Sequence, residues 1–112
     1  IFINKVRELL ENNLSTEGYT IDMLCSTMGM SRTVFYHKIK EVTGRPPVEY
    51  MLTFKMERAK MLLKSGRHSI AEIADMLGYC DAKYFGRKFK DYYHICPTGY
   101  LKKIEQAPAV NS

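Results

Sequence analysis

The stretch SIAEIADMLGYCDAKYFGRKFKDYY, residues 69–93, contains two short amphipathic runs that meet at Gly78. Ser69 precedes the first run as a predicted N-cap, and Asp81 precedes the second. In the first run, apolar residues recur at helical spacing at Ile70, Ile73, Ala74 and Leu77. In the second run, the residues predicted to face inward are Phe85, Phe89 and Tyr92. A helix, a glycine turn and a second helix form the outline of a helix-turn-helix unit.

The outward face of the second predicted helix carries the polar chemistry of this unit. Opposite the aromatic side, at i, i+3, i+4 and i+7, lie Lys83, Gly86, Arg87 and Lys90. The major groove of DNA admits one α-helix and presents base edges that such side chains can read. Arg87 suits a bidentate contact to guanine, so we predict base reading by Lys83, Gly86 and Arg87. Lys88 and Lys90 suit phosphates, which position a protein without reading sequence.

A fainter copy of this unit precedes it by 49 to 50 residues. At an offset of 49, Ile21 matches Ile70 and Gly29 matches Gly78. After a one-residue gain in the turn, the residues that match at an offset of 50 are Phe35 and Phe85, Lys38 and Lys88, Lys40 and Lys90, Pro47 and Pro97, and Tyr50 and Tyr100. A repeat of this length indicates two copies of one supersecondary unit.

The first unit has a matching outward face. On its second helix, the residues predicted to face inward are Phe35, Ile39 and Val42. Base contacts are predicted for Thr33, Tyr36 and His37. Phosphate contacts are predicted for Arg32, Lys38 and Lys40. An ordinary solvated helix face explains each residue singly, but it does not easily explain two matching sets on capped helices.

The whole chain is predicted to be all-α, with about seven helices. Its segments are an N-terminal helix and lead-in (1–18), the first helix-turn-helix (19–46), a linker helix (47–67), the second helix-turn-helix with a final helix (68–104) and a flexible tail (105–112). The seventeen residues 48–64, which read as one continuous helix within this linker, span about 25 Å, which suits two reading helices about one DNA turn, ~34 Å, apart. For the linker cations Lys55, Arg58 and Lys60, two alternatives stay open: pairing with glutamates of the same helix, or contact with the DNA backbone.

Composition favours a globular domain with a polyanionic partner. The 112 residues carry a net charge of +5, and basic clusters fall in 31–45 and 81–103. Charge alone is equally compatible with solvated helix faces. No apolar run approaches the ~18 residues of a membrane span, and no signal peptide is recognisable. Three cysteines without a C-x-x-C spacing predict neither a disulfide framework nor a zinc site, so we expect a reducing, cytoplasmic setting.

The stretch IAEIADMLGYCDAKYFGRKFKDYYHICPTGYLKK resembles the second helix-turn-helix signature of the AraC/XylS transcription regulators. The residues that match are Ile70, Ile73, Ala74, Gly78, Tyr79, Tyr84, Phe85, Arg87, Phe89, Lys90, Pro97 and Tyr100. The stretches MGMSRTVFYHKIKEVTGRPPVEYM and KMERAKMLLKSG are similar to the first unit and the linker helix. The resemblance implies a sequence-specific transcription regulator that binds double-stranded DNA. RNA polymerase is then an expected partner, with a dimer of the full-length protein also compatible and no membrane contact by this domain.

The first half is also similar to the output domains of Bacteroidetes hybrid two-component regulators, in which sensor, kinase and receiver modules precede this domain. Because the chain starts with Ile1, we interpret it as a fragment of a longer protein. The full-length protein is compatible with a membrane anchor outside this fragment. Some positions depart from the family pattern. His94 stands where glycine is common, so that either the turn is distorted or His94 takes positive φ. Gly86 stands where serine is frequent, and Leu101 where many members carry arginine.

Other classes of function stay open at this point. A helical protein-interaction module would use the same basic faces to bind an acidic partner. An RNA-binding module usually exposes aromatic stacking platforms, whereas most aromatic residues here fall at predicted core positions. An enzyme is not predicted, because no Ser/His/Asp set, metal-ligand spacing or glycine-rich phosphate loop is present, and any kinase chemistry would lie outside these residues. We predict no cofactor and no metal.

Overall fold

Seven helices and no strand make up residues 1–106, the part of the chain that this computed structural model describes. They are α1 (Phe2–Asn12), α2 (Ile21–Met28), α3 (Arg32–Thr43), α4 (Pro47–Ser65), α5 (Ile70–Met76), α6 (Ala82–Tyr93) and α7 (Pro97–Gln106). The predicted all-α class is confirmed. Residues 105 and 106 belong to α7 rather than to the predicted tail, and residues 107–112 lie outside the described residues.

Four helix starts are capped by side chains, among them the two caps predicted at Ser69 and Asp81. The capping oxygens accept hydrogen bonds at 2.7–3.2 Å from the backbone N–H three residues on, and they belong to Thr20, Ser31, Ser69 and Asp81. The Glu72 carboxylate also accepts a bond from the Ser69 N–H at 2.8 Å, which completes a capping box. Each such cap stabilises its helix by about 1 kcal/mol and fixes where the helix begins.

Two hydrophobic clusters divide the helices into two lobes that share α4. The core of the first lobe consists of Val6, Leu10, Leu24, Cys25, Phe35 and Ile39. The core of the second consists of Leu14, Met56, Ala59, Leu63, Ile73, Ala74, Leu77, Phe85 and Phe89. Phe54 of α4 packs against both clusters. The pairs α2–α3 and α5–α6 are therefore two helix-turn-helix units, each on its own core, as the sequence repeat predicts.

One residue predicted to face inward does not. Val42 is 53% exposed, because it sits in the last turn of α3, beyond the part of the helix that packs on the core. Its counterpart in the second unit, Tyr92, is half-buried and contacts Thr53 of α4. The repeat is thus closer in its helix starts than in its helix ends.

The two glycine turns differ in how closely the rest of the chain approaches them. Gly29 and Gly78 both take positive φ, 69° and 79°. A Cβ on Gly78 would lie 2.9 Å from the Leu14 carbonyl oxygen and 3.1 Å from that of Thr16, whereas nothing lies within 4 Å of one on Gly29. The segment after α1 therefore rests on the turn of the second unit.

The linker cations contact groups outside their own helix. Arg58 forms a bidentate ion pair with Glu11 of α1. The Nζ atom of Lys55 lies 5.0 Å from the ring centroid of Tyr79, and that of Lys60 lies 4.7 Å from the ring of Tyr93. Of the two alternatives left open for these cations, pairing with a glutamate of α4 is not observed among the described residues, and contact with the DNA backbone stays a prediction. None of the helices in the described part of the chain has the length and apolar composition that a membrane crossing requires.

Candidate nucleic-acid interface

The outward face of α3 carries the four side chains that the sequence placed there. Phe35 and Ile39 are buried, while the opposite side of the helix exposes Thr33, Tyr36, His37 and Lys40. With Arg32, the first three line a shallow depression. The Tyr36 ring meets the His37 ring edge-on at 5.9 Å, and Lys40 Nζ lies 5.9 Å from the Tyr36 centroid. The outward face of α3 thus combines hydrogen-bonding groups, two aromatic rings and the Lys40 cation.

The equivalent face of α6 is more basic. Phe85 and Phe89 are fully buried, and the other side of the helix exposes Lys83, Arg87 and Lys90. One side of α6 is therefore anchored in the core by two aromatic rings. The other side presents three cations that can bind an anionic surface.

Gly86 lies at the edge of this face rather than in its middle. It is half-buried, and a Cβ built there would lie 4.0 Å from Cδ of Pro97 at the start of α7. In the first unit the equivalent pair is Tyr36 and Pro47, which border one small cavity. The prediction that Gly86 faces outward is therefore only partly right, because the next helix covers one side of it.

The cations predicted to bind phosphate fall into two groups. Arg32, Lys40 and Lys90 are exposed, and Arg32 also pairs with Asp22 at 3.1 Å. Exposed pairs of this kind contribute only about 0–1 kcal/mol, so a phosphate can replace Asp22 at little cost. Arg32 therefore remains available to an anionic partner.

Lys38 and Lys88 point elsewhere. At ~100° per residue, both lie about 150° round their helices from the centre of the outward face. Lys38 Nζ is 5.1 Å from the ring centroid of Phe2 in α1, and Lys88 Nζ is 5.6 Å from that of Tyr84. The phosphate contacts predicted for these two residues stay predictions, and their placement argues against them.

Tyr84, which has no role among the contacts predicted from the sequence, lies beside the outward face of α6. Its side chain is 37% exposed, and its ring centroid lies 5.7 Å from Cζ of Arg87. The signal was present in the sequence, since residues at i and i+3 of a helix are neighbours on its surface.

Residues 1–106 contain neither a candidate metal site nor a disulfide bond. No group of three or more His, Cys, Asp or Glu side chains is placed to hold a metal ion there. Cys25 is buried while Cys80 and Cys96 are exposed, and all three are free thiols. Burial is the main cause that raises the pKa of Cys25, which keeps it protonated.

Comparison with known proteins places this geometry in a family. A family model described as a helix-turn-helix domain matches residues 24–103. The raffinose operon transcriptional regulatory protein RafR of Pediococcus pentosaceus is 35% identical over 95 residues, covering 85% of this chain and 34% of RafR. A Formosa agariphila protein named histidine kinase P4 is 26% identical over 104 residues, covering 93% of this chain and 8% of the kinase. The chain thus spans only a small part of these curated relatives.

A solved structure gives the same picture in three dimensions. The C-terminal domain of the two-component response regulator yesN from Fusobacterium nucleatum superposes with a TM-score of 0.80 at 30% identity. The match covers 89% of this chain and 97% of that one. With two helix-turn-helix units on one linker helix and a family match over most of its length, the chain belongs to the AraC-type helix-turn-helix DNA-binding domains of transcription regulators.

Proposed function

We propose that this domain reads a specific duplex site by placing α3 and α6 in successive major-groove segments. The observation that carries the proposal is the exposure of three equivalent pairs of positions, opposite two buried cores: Thr33 and Lys83, His37 and Arg87, and Lys40 and Lys90. At ~1.5 Å per residue, the 19 residues of α4 span about 28 Å. That length suits two reading helices separated by about one turn of DNA, ~34 Å.

Within this proposal, bases are read by Thr33, Tyr36, His37, Lys83 and Arg87, with Gly86 at the edge of the second face. Phosphates are bound by Arg32, Lys40 and Lys90. Arg87 supplies the fork geometry that matches guanine O6 and N7, worth about 1–3 kcal/mol of discrimination. The first unit offers hydrogen bonds and the Tyr36 ring instead, so the two half-sites differ in chemistry.

The full-length protein is proposed to be a two-component or hybrid signalling regulator with this domain as its output module. Support comes from the likeness to histidine kinase P4 and to the yesN response-regulator domain. RNA polymerase is a proposed partner because relatives such as RafR are named transcriptional regulators. A dimer of the full-length protein and a cytoplasmic setting complete the proposal. No catalytic role is assigned to this domain.

The test is a binding titration against salt. Binding sites are first selected from random duplexes with the 112-residue chain. Affinity for the selected site is then measured by fluorescence anisotropy from about 50 to about 300 mM salt, a range over which phosphate contacts weaken strongly. Each phosphate contact contributes about −0.9 to the log–log slope, so we expect a slope of about −3 or steeper and one or two preferred groove segments.

A matched control uses Lys64, an exposed cation of α4 that lies beside Tyr92. Tyr92 lies about 140° round α6 from Arg87, so Lys64 is on the side of α6 away from the proposed DNA-binding face. Lys64→Ala should therefore leave the salt slope unchanged, while Lys90→Ala should make it less steep. A flat slope, or no binding at low salt, sinks the proposal. Binding of the basic faces to an acidic polypeptide such as polyglutamate, without duplex binding, would instead favour a protein-interaction module.

A further inference from the structure

Tyr84 lies against the side chain that the proposed function uses to read guanine. It is the third residue of α6, and its backbone N–H donates to the Asp81 capping carboxylate at 2.7 Å. Its ring centroid lies 5.7 Å from Cζ of Arg87 and 5.6 Å from Nζ of Lys88. Both cations are within the ~6 Å at which an aromatic ring attracts a positive charge. The first turn of α6 therefore presents a ring beside the reading guanidinium.

The ring of Tyr84 is itself supported from behind. It meets the Tyr79 ring at 5.8 Å, and Tyr79 in turn lies 5.7 Å from the buried ring of Phe85. The Nζ atom of Lys55 sits 5.0 Å from the Tyr79 centroid. Burial raises the pKa of Tyr79 to about 12, so this ring stays a neutral phenol at ordinary pH. The contacts form an unbroken series from the linker helix α4 to Arg87.

Such support matters because an arginine contact to guanine is bidentate. Both N–H groups must lie in the plane of the base, and a free arginine loses side-chain entropy when it adopts that one orientation. In the first unit, Val34 stands at the position of Tyr84 and His37 at the position of Arg87. An aromatic ring three residues before the reading side chain is thus specific to the unit with the arginine, whereas the ring beside His37 is that of its neighbour Tyr36.

We propose that Tyr84 is a positioning residue that holds the Arg87 guanidinium in place for guanine recognition. The proposal rests on the proposed function, since it assigns Tyr84 a part in how the second unit reads its half-site. Tyr84 acts through Arg87 and makes no base contact of its own. Its effect should therefore appear in discrimination between bases and not in the salt dependence of binding.

The DNA experiment compares the selected duplex with one in which 7-deazaguanine replaces guanine and removes the N7 acceptor. The variants are Tyr84→Phe, which keeps the ring, and Tyr84→Leu, which keeps apolar contact with Tyr79 but no ring. We expect Tyr84→Leu to lower the preference for the guanine duplex by about two- to five-fold, with an unchanged salt slope, and Tyr84→Phe to preserve it. In an Arg87→Ala background, Tyr84→Leu should have no further effect on this preference.

A second readout needs no DNA. In the free domain, the ring current of Tyr84 should shift the Arg87 Hδ and Hε resonances upfield, and the shift should survive in Tyr84→Phe and vanish in Tyr84→Leu. If the wild-type domain shows no such shift, or if Tyr84→Leu weakens both duplexes equally, the positioning role is overturned while the proposed function stands. If the shift is present but Arg87→Ala leaves the guanine preference intact, the assignment of the α6 face fails, and this role of Tyr84 fails with it.

Discussion

The side-chain oxygens of Thr53 and Tyr92 lie 2.8 Å apart and join the linker helix α4 to the second reading helix α6. Thr53 is only 5% exposed and Tyr92 is half-buried, so this bond is partly shielded from water. The first reading helix has no counterpart, because Val42 occupies the position of Tyr92 and is exposed. The second unit is therefore attached to the linker by a specific polar contact, in addition to hydrophobic packing.

Removal of one partner of this bond should destabilise the domain. An unsatisfied buried hydroxyl costs about 1–3 kcal/mol, whereas removing both partners is nearly neutral. We expect Tyr92→Phe and Thr53→Val each to lower the free energy of unfolding by about 1 kcal/mol, and the double variant to lose clearly less than their sum. Urea denaturation of the four proteins gives the coupling energy directly. Strict additivity would show that the bond contributes nothing.

The two glycine turns offer a matched pair of substitutions. Alanine at Gly29 meets open space and pays mainly for positive φ, about 1–2 kcal/mol. Alanine at Gly78 pays the same strain and also places its Cβ 2.9 Å from the backbone oxygen of Leu14. We therefore expect Gly78→Ala to lower the urea midpoint considerably more than Gly29→Ala. Equal midpoints would mean that the segment after α1 moves away at little cost.

The same glycines show what the sequence reveals and what it leaves out. Their equivalence at an offset of 49 predicts a turn with positive φ in each unit, because glycine tolerates that conformation. Nothing local to Gly78 predicts the approach of Leu14, which lies 64 residues earlier in the numbering. Helical periodicity likewise places Lys38 and Arg87 at fixed angles on their helices. The Tyr84 ring beside Arg87 follows from their i, i+3 spacing, whereas the Phe2 ring beside Lys38 does not, since that contact depends on how the distant helix α1 packs.

The ion pair between Glu11 and Arg58 should make stability depend on pH. The hydrogen bond that the Glu11 carboxylate accepts from Arg58 lowers the pKa of Glu11 below the ordinary 4.5. The contribution is therefore fully present above about pH 4.5 and is lost as the pH falls through the lowered pKa. Because both side chains are partly exposed, we expect only about 0.5–1 kcal/mol.

Glu11→Gln tests this pair, with Glu8→Gln as its control. Glu8 pairs with Lys5 on the same helix, but both side chains are more than half exposed. Glu11→Gln should lower the free energy of unfolding at pH 7 and flatten its decline towards pH 3, whereas Glu8→Gln should change neither measurably. Urea titrations at several pH values decide the matter. Parallel pH profiles for wild type and Glu11→Gln would contradict the prediction.

His94 ends α6 with φ of 64°, in the conformation that Gly44 adopts at the end of α3 with φ of 77°. Of the two alternatives predicted for this turn, positive φ is the one observed. A non-glycine residue there costs about 1–2 kcal/mol, so His94→Gly should raise the thermal midpoint. Part of this strain relief is cancelled because glycine is more flexible than histidine in the unfolded chain. The expected net increase in the free energy of unfolding is therefore about 0.5–1 kcal/mol. Duplex affinity should not change, and a lower midpoint would refute the strain.

Arg87 and Lys90 lie on one face of α6, but their removal should affect DNA binding in different ways. Arg87→Ala removes a bidentate base contact, so specific affinity should fall by about 1–3 kcal/mol and non-specific affinity by less. Lys90→Ala removes a phosphate contact, so both affinities should fall alike and the salt slope should lose about one unit. Anisotropy titrations on the selected site and on a scrambled duplex separate the two effects, with Lys64→Ala as the inert cation. If Arg87→Ala left the ratio of specific to non-specific affinity unchanged, the second unit would bind DNA through its charge alone, and the guanine reader would have to be sought on another side chain.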